Sequence, residues 1–533
     1  MAIAIDFGTS NTVITRWNTA KQQAETLKFP GLSQQLGKNP PLIPSLVYVE
    51  DATEAKVLIG QQVRDRGLDL ANDPRFFRSF KRGIGTEIQG FLPTLDAKTV
   101  TFEQVGTWFL KTLLQQIETE EELDSLILTV PVDSFETYRN WLTNICQSLD
   151  ANKIRILDEP TAAALGYGTE TGDVLLVVDF GGGTLDLSLV QLNLSNETNT
   201  TKPMGFILKW GDKLLGENSR QKVKTARVLA KAGENIGGSD IDNWLVDYFA
   251  QEQSLPKSSL TLRLAERLKI KLSSQTEATE VYFNDETLET YELKLDRDRF
   301  KTILAEHNFF QQLETMMTGV LQQGRLQGIE KNNLDGVLLV GGTTQIPAIQ
   351  DWISHYFPQE KIRSDRPFTA IASGALQLSQ GFEVKDFLYH SYGIRYWNRR
   401  NKCHDWHPII PTGQPYPTPN PVEFLLGASA ENQPSIELII GELGEENSST
   451  EVYFDGDRLV TRSLNSTGEK TVQPLNDRAG ARTIAELSPP GNPGSDRIKV
   501  QFTVDEQRLL RITVEDLLSD RILLENRVVV QLS

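Results

Sequence analysis

The sequence predicts an α/β protein of two related lobes followed by a C-terminal β-sandwich, and three observations carry that prediction. The first is an internal echo: Ile3-Ala4-Ile5-Asp6-Phe7-Gly8-Thr9-Ser10-Asn11-Thr12-Val13-Ile14 is answered by Leu176-Val177-Val178-Asp179-Phe180-Gly181-Gly182-Gly183-Thr184-Leu185-Asp186-Leu187. Each copy is an apolar strand, Asp-Phe-Gly, a turn of small and hydroxyl residues, and a second alternating strand, which is the pattern of a β-hairpin with a glycine-rich tip. The second is another glycine-rich turn, Val340-Gly341-Gly342-Thr343-Thr344, standing between an apolar run and a helix predicted from Pro347. The third is a change of texture near Tyr392, where Pro, Gly and Asn become frequent and short alternating strands replace helices.

The elements follow in order. At 533 residues the chain is too long for one hydrophobic core. Apolar periodicity predicts helices over 102–117 and 138–149, and a strand over Ser125–Val130 that stops at Pro131, a residue with no N–H for a central ladder. Strands alternating with helices to about residue 380 make this part α/β. Beyond it, strands are predicted over 435–440, 498–504, 510–514 and 527–532, with Pro489-Pro490-Gly491-Asn492-Pro493-Gly494 as a loop. The predicted domains are 1–381 and 392–533, joined by an apolar linker, 382–391, that holds Phe382, Val384, Phe387 and Leu388. The chain ends on a strand, so no helical lid is expected. The polar stretch 193–231, with Arg220, Lys222, Lys224, Arg227 and Lys231, is expected to be a solvated insertion.

The net charge of -17 disfavours a broad electrostatic grip on nucleic acid or on anionic lipid. Two cysteines, Cys146 and Cys403, cannot build a disulfide framework and suit a reducing compartment. Cys403, His404 and His407 lie close together, but no second ligand cluster accompanies them, so zinc is not expected. The chain opens directly on a strand pattern and has no apolar run of about 20 residues, so a cytoplasmic protein without a membrane partner is expected.

The hairpin tips carry the chemistry. Turns of Gly, Thr and Ser leave backbone N–H groups free to point at a polyphosphate and put no Cβ in its way. Thr9, Ser10 and Thr184 add hydroxyl donors, and Asp6 and Asp179 stand at the strand ends. Two such carboxylates facing one cleft would hold Mg²⁺ through its waters, so opposed hairpins would clamp a magnesium nucleotide. A single turn of this kind usually does no more than connect two strands; the duplication argues for phosphate. The sequence has no G-x-x-x-x-G-K-[ST] and no His-Arg-Asp loop, which excludes the P-loop and protein-kinase readings.

The hairpins resemble those of the seventy-kilodalton heat-shock chaperones, a branch of the actin-like ATPase superfamily. So do Leu157-Asp158-Glu159-Pro160-Thr161-Ala162-Ala163-Ala164, Ile236-Gly237-Gly238-Ser239-Asp240 and the turn at 340–347. The resemblance implies duplicated ribonuclease H-like lobes, ATP and Mg²⁺ as ligands, and slow magnesium-dependent ATP hydrolysis. It also implies a β-sandwich for unfolded or client polypeptides, with a co-chaperone or nucleotide exchange factor as a further partner.

Position by position, the resemblance implies phosphate contacts at Gly8, Thr9, Ser10, Asn11, Gly181, Gly182, Gly183 and Thr184, and magnesium-site carboxylates at Asp6 and Asp179. Gly237, Gly238, Gly341, Gly342 and Thr343 complete the nucleotide site, and Glu266, Lys269 and Ser273 meet the nucleoside. Lys81, within Phe80-Lys81-Arg82-Gly83, is the implied catalytic lysine, supported by Glu159, Asp179 and Thr184; alone it would read as a surface lysine. Pro131 and Arg139 match residues that couple the lobes to the substrate domain. The sequence departs from the family at Ile270 and Gln345, where arginines are usual, at Phe368, where an aspartate is usual, and in the linker, which lacks a leucine-rich run. A second reading is a nucleotide-gated scaffold with negligible turnover that binds a dedicated protein partner.

Overall fold

Both predicted hairpins form. Ala2–Phe7 pairs antiparallel with Asn11–Asn18, and Val174–Phe180 with Leu185–Leu194. In each, the first strand also pairs in parallel with an apolar strand, Ser125–Val130 in one lobe and Gly336–Val340 in the other. Strands covered on both faces need side chains that are apolar throughout, which is why Ile3-Ala4-Ile5 and Leu175-Leu176-Val177-Val178 are continuous runs with no exposed position.

The computed structural model describes all residues except 19, 71–72, 87, 91, 121–122, 132–134, 147–148, 150–152, 169–172, 195–205, 208–223, 285–286, 381–387, 389–390, 399–402, 412–413, 415, 419, 444–448, 456–457, 465–471, 477–481, 495, 506–507 and 533. It divides into Met1–Val384 with Thr450–Ser463, and Lys385–Ser449 with Leu464–Ser533.

In the first unit, the sheet of lobe one runs in the order Phe206–Ile207, Lys153–Asp158, Ser125–Val130, Ala2–Phe7, Asn11–Asn18, Gln23–Thr26. That of lobe two runs Lys224–Glu234, Leu185–Leu194, Val174–Phe180, Gly336–Val340, Ile362–Arg363. Behind Asp6, Phe7 packs its ring 5.7 Å from Phe109 and 6.0 Å from Trp141, which anchors helices Phe102–Glu120 and Phe135–Cys146. Phe180 stacks on Phe309 at 5.7 Å in the equivalent place.

Two short buried helices, Glu159–Gly166 and Ala370–Ala375, share a core with residues of both sheets, among them Ala4, Ile127, Val177 and Val340. They touch backbone to backbone. A Cβ on Gly374 would sit 1.8 Å from the Ala162 carbonyl oxygen, and one on Gly166 1.9 Å from that of Ala370.

The expected solvated insertion over 193–231 is corrected at both ends. Leu185–Leu194 and Lys224–Glu234 pair from Leu185↔Glu234 to Leu194↔Lys224, so Lys224, Arg227 and Lys231 belong to a strand of the sheet. That strand is at the sheet edge, where lysines are favoured because they blunt further pairing, and its polar residues hide its strand pattern. Arg220 and Lys222 lie outside the described residues.

The second unit contains two four-stranded sheets. One orders Cys403–Ile410, Ser391–Asn398, Ile440–Leu443 and Val472–Pro474; the other Val422–Gly427, Asp496–Val504, Leu509–Asp516 and Arg521–Gln531. Alternation buries Ile498, Val500, Phe502 and Val504 on one face. The strand predicted over 435–440 is divided: Gln433–Leu438 pairs with Arg482–Gly491, while Ile440–Leu443 joins another sheet. The loop expected at Pro489-Pro490-Gly491 is instead the end of strand Arg482–Gly491. Its prolines fall at a register shift between Gln433↔Gly491 and Ser435↔Glu486, where no ladder N–H is required of them. Of the linker, only Leu388 and Ser391 are described. Leu388 is buried, and its N–H donates to the Gln414 carbonyl at 2.9 Å.

Cys146 is buried and Cys403 exposed, and both are free thiols. Among the described residues, no helix is long and apolar enough to cross a membrane.

Candidate functional site

The tips of the two hairpins and the third glycine turn open onto one cavity of about 590 Å³, within the range of small-molecule sites. Gly8, Thr9, Ser10 and Asn11 line it from the first hairpin, Gly181, Gly182 and Thr184 from the second, and Gly341, Gly342 and Thr343 from the third turn. Asp6, Asp179, Lys81 and Glu159 also line it, as do Gly238, Glu266, Lys269 and Ser273. Gly183 and Gly237 are not in its wall. A Cβ on Gly237 would meet the Gly182 carbonyl carbon at 2.4 Å, and one on Gly183 the Thr9 hydroxyl at 2.6 Å. These two glycines let the turns approach one another.

Local chemistry places each charged group. Lys81 lies in a 3₁₀ turn, Phe80–Gly83, and the Tyr138 hydroxyl donates to its carbonyl at 2.8 Å. Its Nζ is 3.0 Å from Glu159 Oε1 and 5.6 Å from the centre of the Phe7 ring. Glu159 opens helix Glu159–Gly166, whose first turn is fixed by Pro160 and by the Asp158 carboxylate accepting from the Thr161 N–H at 2.8 Å.

Burial pushes the Asp6 carboxyl up to about 7, with Glu159 adding to the effect and Lys81 and Thr129 opposing it. Burial also holds Asp179 well above the carboxylate range, reinforced by Glu159, Asp186 and Asp6. Burial alone would lower Lys81, but Glu159, Tyr138 and Asp6 outweigh it and hold the ammonium charged. One ammonium thus faces an excess of buried carboxylates, a donor set that fits a hard divalent cation. Among the described residues no three His, Cys, Asp or Glu side chains converge closely enough to hold an ion directly. The fit is therefore to an ion that keeps its waters, as Mg²⁺ does.

The far wall is helix Ser259–Ser274, capped by the Ser258 hydroxyl, which accepts from Thr261 N–H at 3.2 Å. The i, i+3, i+7 spacing sets Glu266, Lys269 and Ser273 on the cavity side, yet each is already engaged. Glu266 meets Arg64 at 2.9 Å, Lys269 meets Asp242 at 2.7 Å and donates to the Gly238 carbonyl at 2.6 Å, and Ser273 donates to the Lys269 carbonyl at 3.3 Å. Burial would raise Glu266, but Arg64, Arg78 and Lys269 outweigh it and lower the carboxyl. Ile270, Gln345 and Phe368 also line the cavity.

A family model described as Hsp70 protein matches residues 2–198 and 224–413, most of the chain. The chain belongs to the Hsp70 family. Hsp70 proteins are ATPases that bind ATP with Mg²⁺ and act as ATP-dependent chaperones on client polypeptides, with co-chaperones. The break in the Hsp70 match falls between the paired strands Leu185–Leu194 and Lys224–Glu234, so both strands lie within the matched segments.

The structure of this Hsp70 also supplies residues that its motifs did not reveal. Arg82 bridges the lobes, with Nη1 3.0 Å from Asp240 Oδ1 and Nη2 donating to the Asn235 carbonyl at 2.6 Å. Arg263 meets Asp69 at 3.1 Å, and the Ser79 and Ser239 hydroxyls are 3.2 Å apart. Arg82 and Asp240 did stand inside quoted motifs, but nothing local pairs them. Arg64, Asp69 and Arg263 belong to no motif. Of the two residues matched to interdomain coupling, Pro131 follows strand Ser125–Val130, and Arg139 lies on helix Phe135–Cys146.

Proposed function

We propose that this cavity binds magnesium ATP, that the chain hydrolyses it slowly, and that the cycle drives binding and release of client polypeptide. The observation that carries the reading is the convergence of two duplicated hairpin tips, Asp6, Asp179 and a buried Lys81–Glu159 pair on one cavity.

In this reading the N–H groups of 8–11 and 181–184 cradle the phosphates, helped by the hydroxyls of Thr9, Ser10 and Thr184. Gly341, Gly342, Thr343 and Gly238 close over the nucleotide, and Glu266, Lys269 and Ser273 border the nucleoside. Asp6 and Asp179 would hold Mg²⁺ through its waters, and the ion when bound neutralises charge on the phosphate oxygens. Lys81 sets a fixed positive charge against the transferring phosphoryl group, and Glu159 holds Lys81 and accepts a hydrogen bond from the attacking water. The water oxygen bonds to the terminal phosphorus as the bond to the ADP oxygen breaks, that oxygen leaves with the electron pair, and the water gives up one proton through Glu159 to solvent. Positioning and charge do most of the work in such a transfer.

The two four-stranded sheets of the second unit support a β-sandwich that takes extended apolar peptide. Its exposed Tyr396, Trp397 and Leu425 supply apolar surface for such a ligand. The two free thiols suit the cytoplasm.

Single-turnover ATP hydrolysis with Mg²⁺, with and without an unfolded apolar peptide, tests the proposal. Slow hydrolysis that peptide accelerates is the expected result. Tight ATP binding without hydrolysis in either condition overturns it in favour of a nucleotide-gated scaffold.

A further inference from the structure

Lys81 is held by more than its ion pair. Its ammonium lies over two buried aromatic rings, with Nζ 5.6 Å from the centre of Phe7 and 5.8 Å from that of Tyr138. The same tyrosine grips the backbone of the same residue, because its hydroxyl donates to the Lys81 carbonyl at 2.8 Å. Tyr138 is itself fixed. It stands on helix Phe135–Cys146, and its ring meets that of Trp141 edge-on at 5.6 Å. Trp141 is anchored in turn on helix Phe102–Glu120, where its Nε1 donates to the Glu103 carbonyl at 3.2 Å and to the Thr107 hydroxyl at 3.0 Å. One side chain thus holds both ends of Lys81, and two helices hold that side chain.

A lysine carries a point charge on a flexible four-carbon stem, so its position has to be imposed from outside. Glu159 imposes it through a directed bond at 3.0 Å, which occupies one of the three N–H donors of the ammonium. An aromatic face attracts a cation without claiming a particular N–H. It leaves the remaining donors for a ligand, and it lets the ammonium swing between Glu159 and an arriving phosphate without returning to water. We infer that Tyr138 is a positioning residue for the hydrolysis: its hydroxyl fixes the turn that carries Lys81, and its ring keeps the charge at the reacting phosphate. The inference rests on the reading of Lys81 as the charge that acts on the phosphoryl group.

The test sets ATP titration beside single-turnover hydrolysis in Mg²⁺ for Tyr138→Phe and Tyr138→Leu in the full chain. Both variants are expected to bind ATP within about twofold of the unaltered protein, since only the chemical step is affected. Tyr138→Phe, which keeps the ring and loses the bond to the backbone, should slow hydrolysis by about threefold to tenfold. Tyr138→Leu loses both and should slow it by about thirtyfold or more. Adding Tyr138→Leu to Lys81→Ala should cost nothing further, because residues that act as a unit are not additive. Hydrolysis unchanged in Tyr138→Leu, equal slowing in the two variants, or a further loss on the Lys81→Ala background overturns the assignment. So does ATP binding that weakens in step with the rate, the mark of a merely structural role. A Lys81→Ala protein that hydrolyses ATP at the unaltered rate overturns the reading of Lys81 itself, and the inference with it.

Discussion

The Nζ of Lys81 lies 3.0 Å from Oε1 of Glu159, and the two side chains are only 10% and 8% exposed. A pair so withdrawn from water is held in one geometry, and either charge left alone is strongly unfavourable. Lys81→Ala is therefore expected to keep ATP binding within a few-fold and to lose hydrolysis by about a hundredfold or more, the scale of a lost charge stabiliser. Single-turnover assays and nucleotide titration read the two effects separately, and unchanged turnover removes Lys81 from the chemistry.

Proton release should accompany magnesium-nucleotide binding below neutrality. Asp6 has its carboxyl raised to about 7, first by burial and then by Glu159. A folded-state value above the unfolded one means that the folded protein binds the extra proton between about pH 4 and pH 7, so free-state stability falls as pH rises through that window. Cation binding requires the carboxylates, so Asp6 should give up about one proton at about pH 6 and almost none at about pH 8, in addition to what the likewise raised Asp179 releases. Calorimetry in two buffers of different ionisation enthalpy measures this, and Asp6→Asn should abolish that proton.

Nucleotide release should depend on the bridge from Arg82 to Asp240 and to the Asn235 carbonyl. Charge-assisted bonds to an arginine that is 1% exposed contribute enough that Asp240→Asn is expected to speed release by about tenfold. Arg82→Lys should act in the same direction, because an ammonium cannot reproduce the forked geometry. Stopped-flow displacement of a fluorescent nucleotide gives the rate; equal rates in all three proteins exclude the bridge as a latch.

In the second unit, Arg497 clasps Asp516 in two bonds of 2.8 Å and 2.7 Å, and the carboxyl is held far below its ordinary range, chiefly by that arginine. Its contribution is fully present above the unfolded value near 4 and is lost as pH falls toward the folded one. Asp516→Asn should cost about 3 kcal/mol at neutral pH, and the difference from the unaltered protein should shrink below about pH 4. Denaturant titration at several pH values tests it; a penalty independent of pH rules out the ionic account.

What the sequence made legible is what local chemistry determines. Asp6 and Asp179 could be placed at strand ends because Asp-Phe-Gly and the alternating residues around it lie within a dozen positions. Glu159 could be placed at a helix start because Pro160 follows it. Arg82 with Asp240 and Arg64 with Glu266 are separated by 158 and 202 positions, and neither pair has a local pattern to announce it. Lys224–Glu234 was hidden because an edge strand tolerates the polar residues that suggest a loop. Ile439 sits where the chain leaves one sheet for another, and alternation continues across that change unaltered.

The contact of Gly166 and Gly374 constrains how this chain can diversify. Neither position leaves room for even a methyl group, and no side chain lies between the two backbones that could shrink to compensate. A larger residue at one position cannot be rescued by a smaller one at the other, because both are already the smallest. The cavity walls, by contrast, border open space that a changed side chain can enter. The crossing behind it has no neutral neighbour in sequence space.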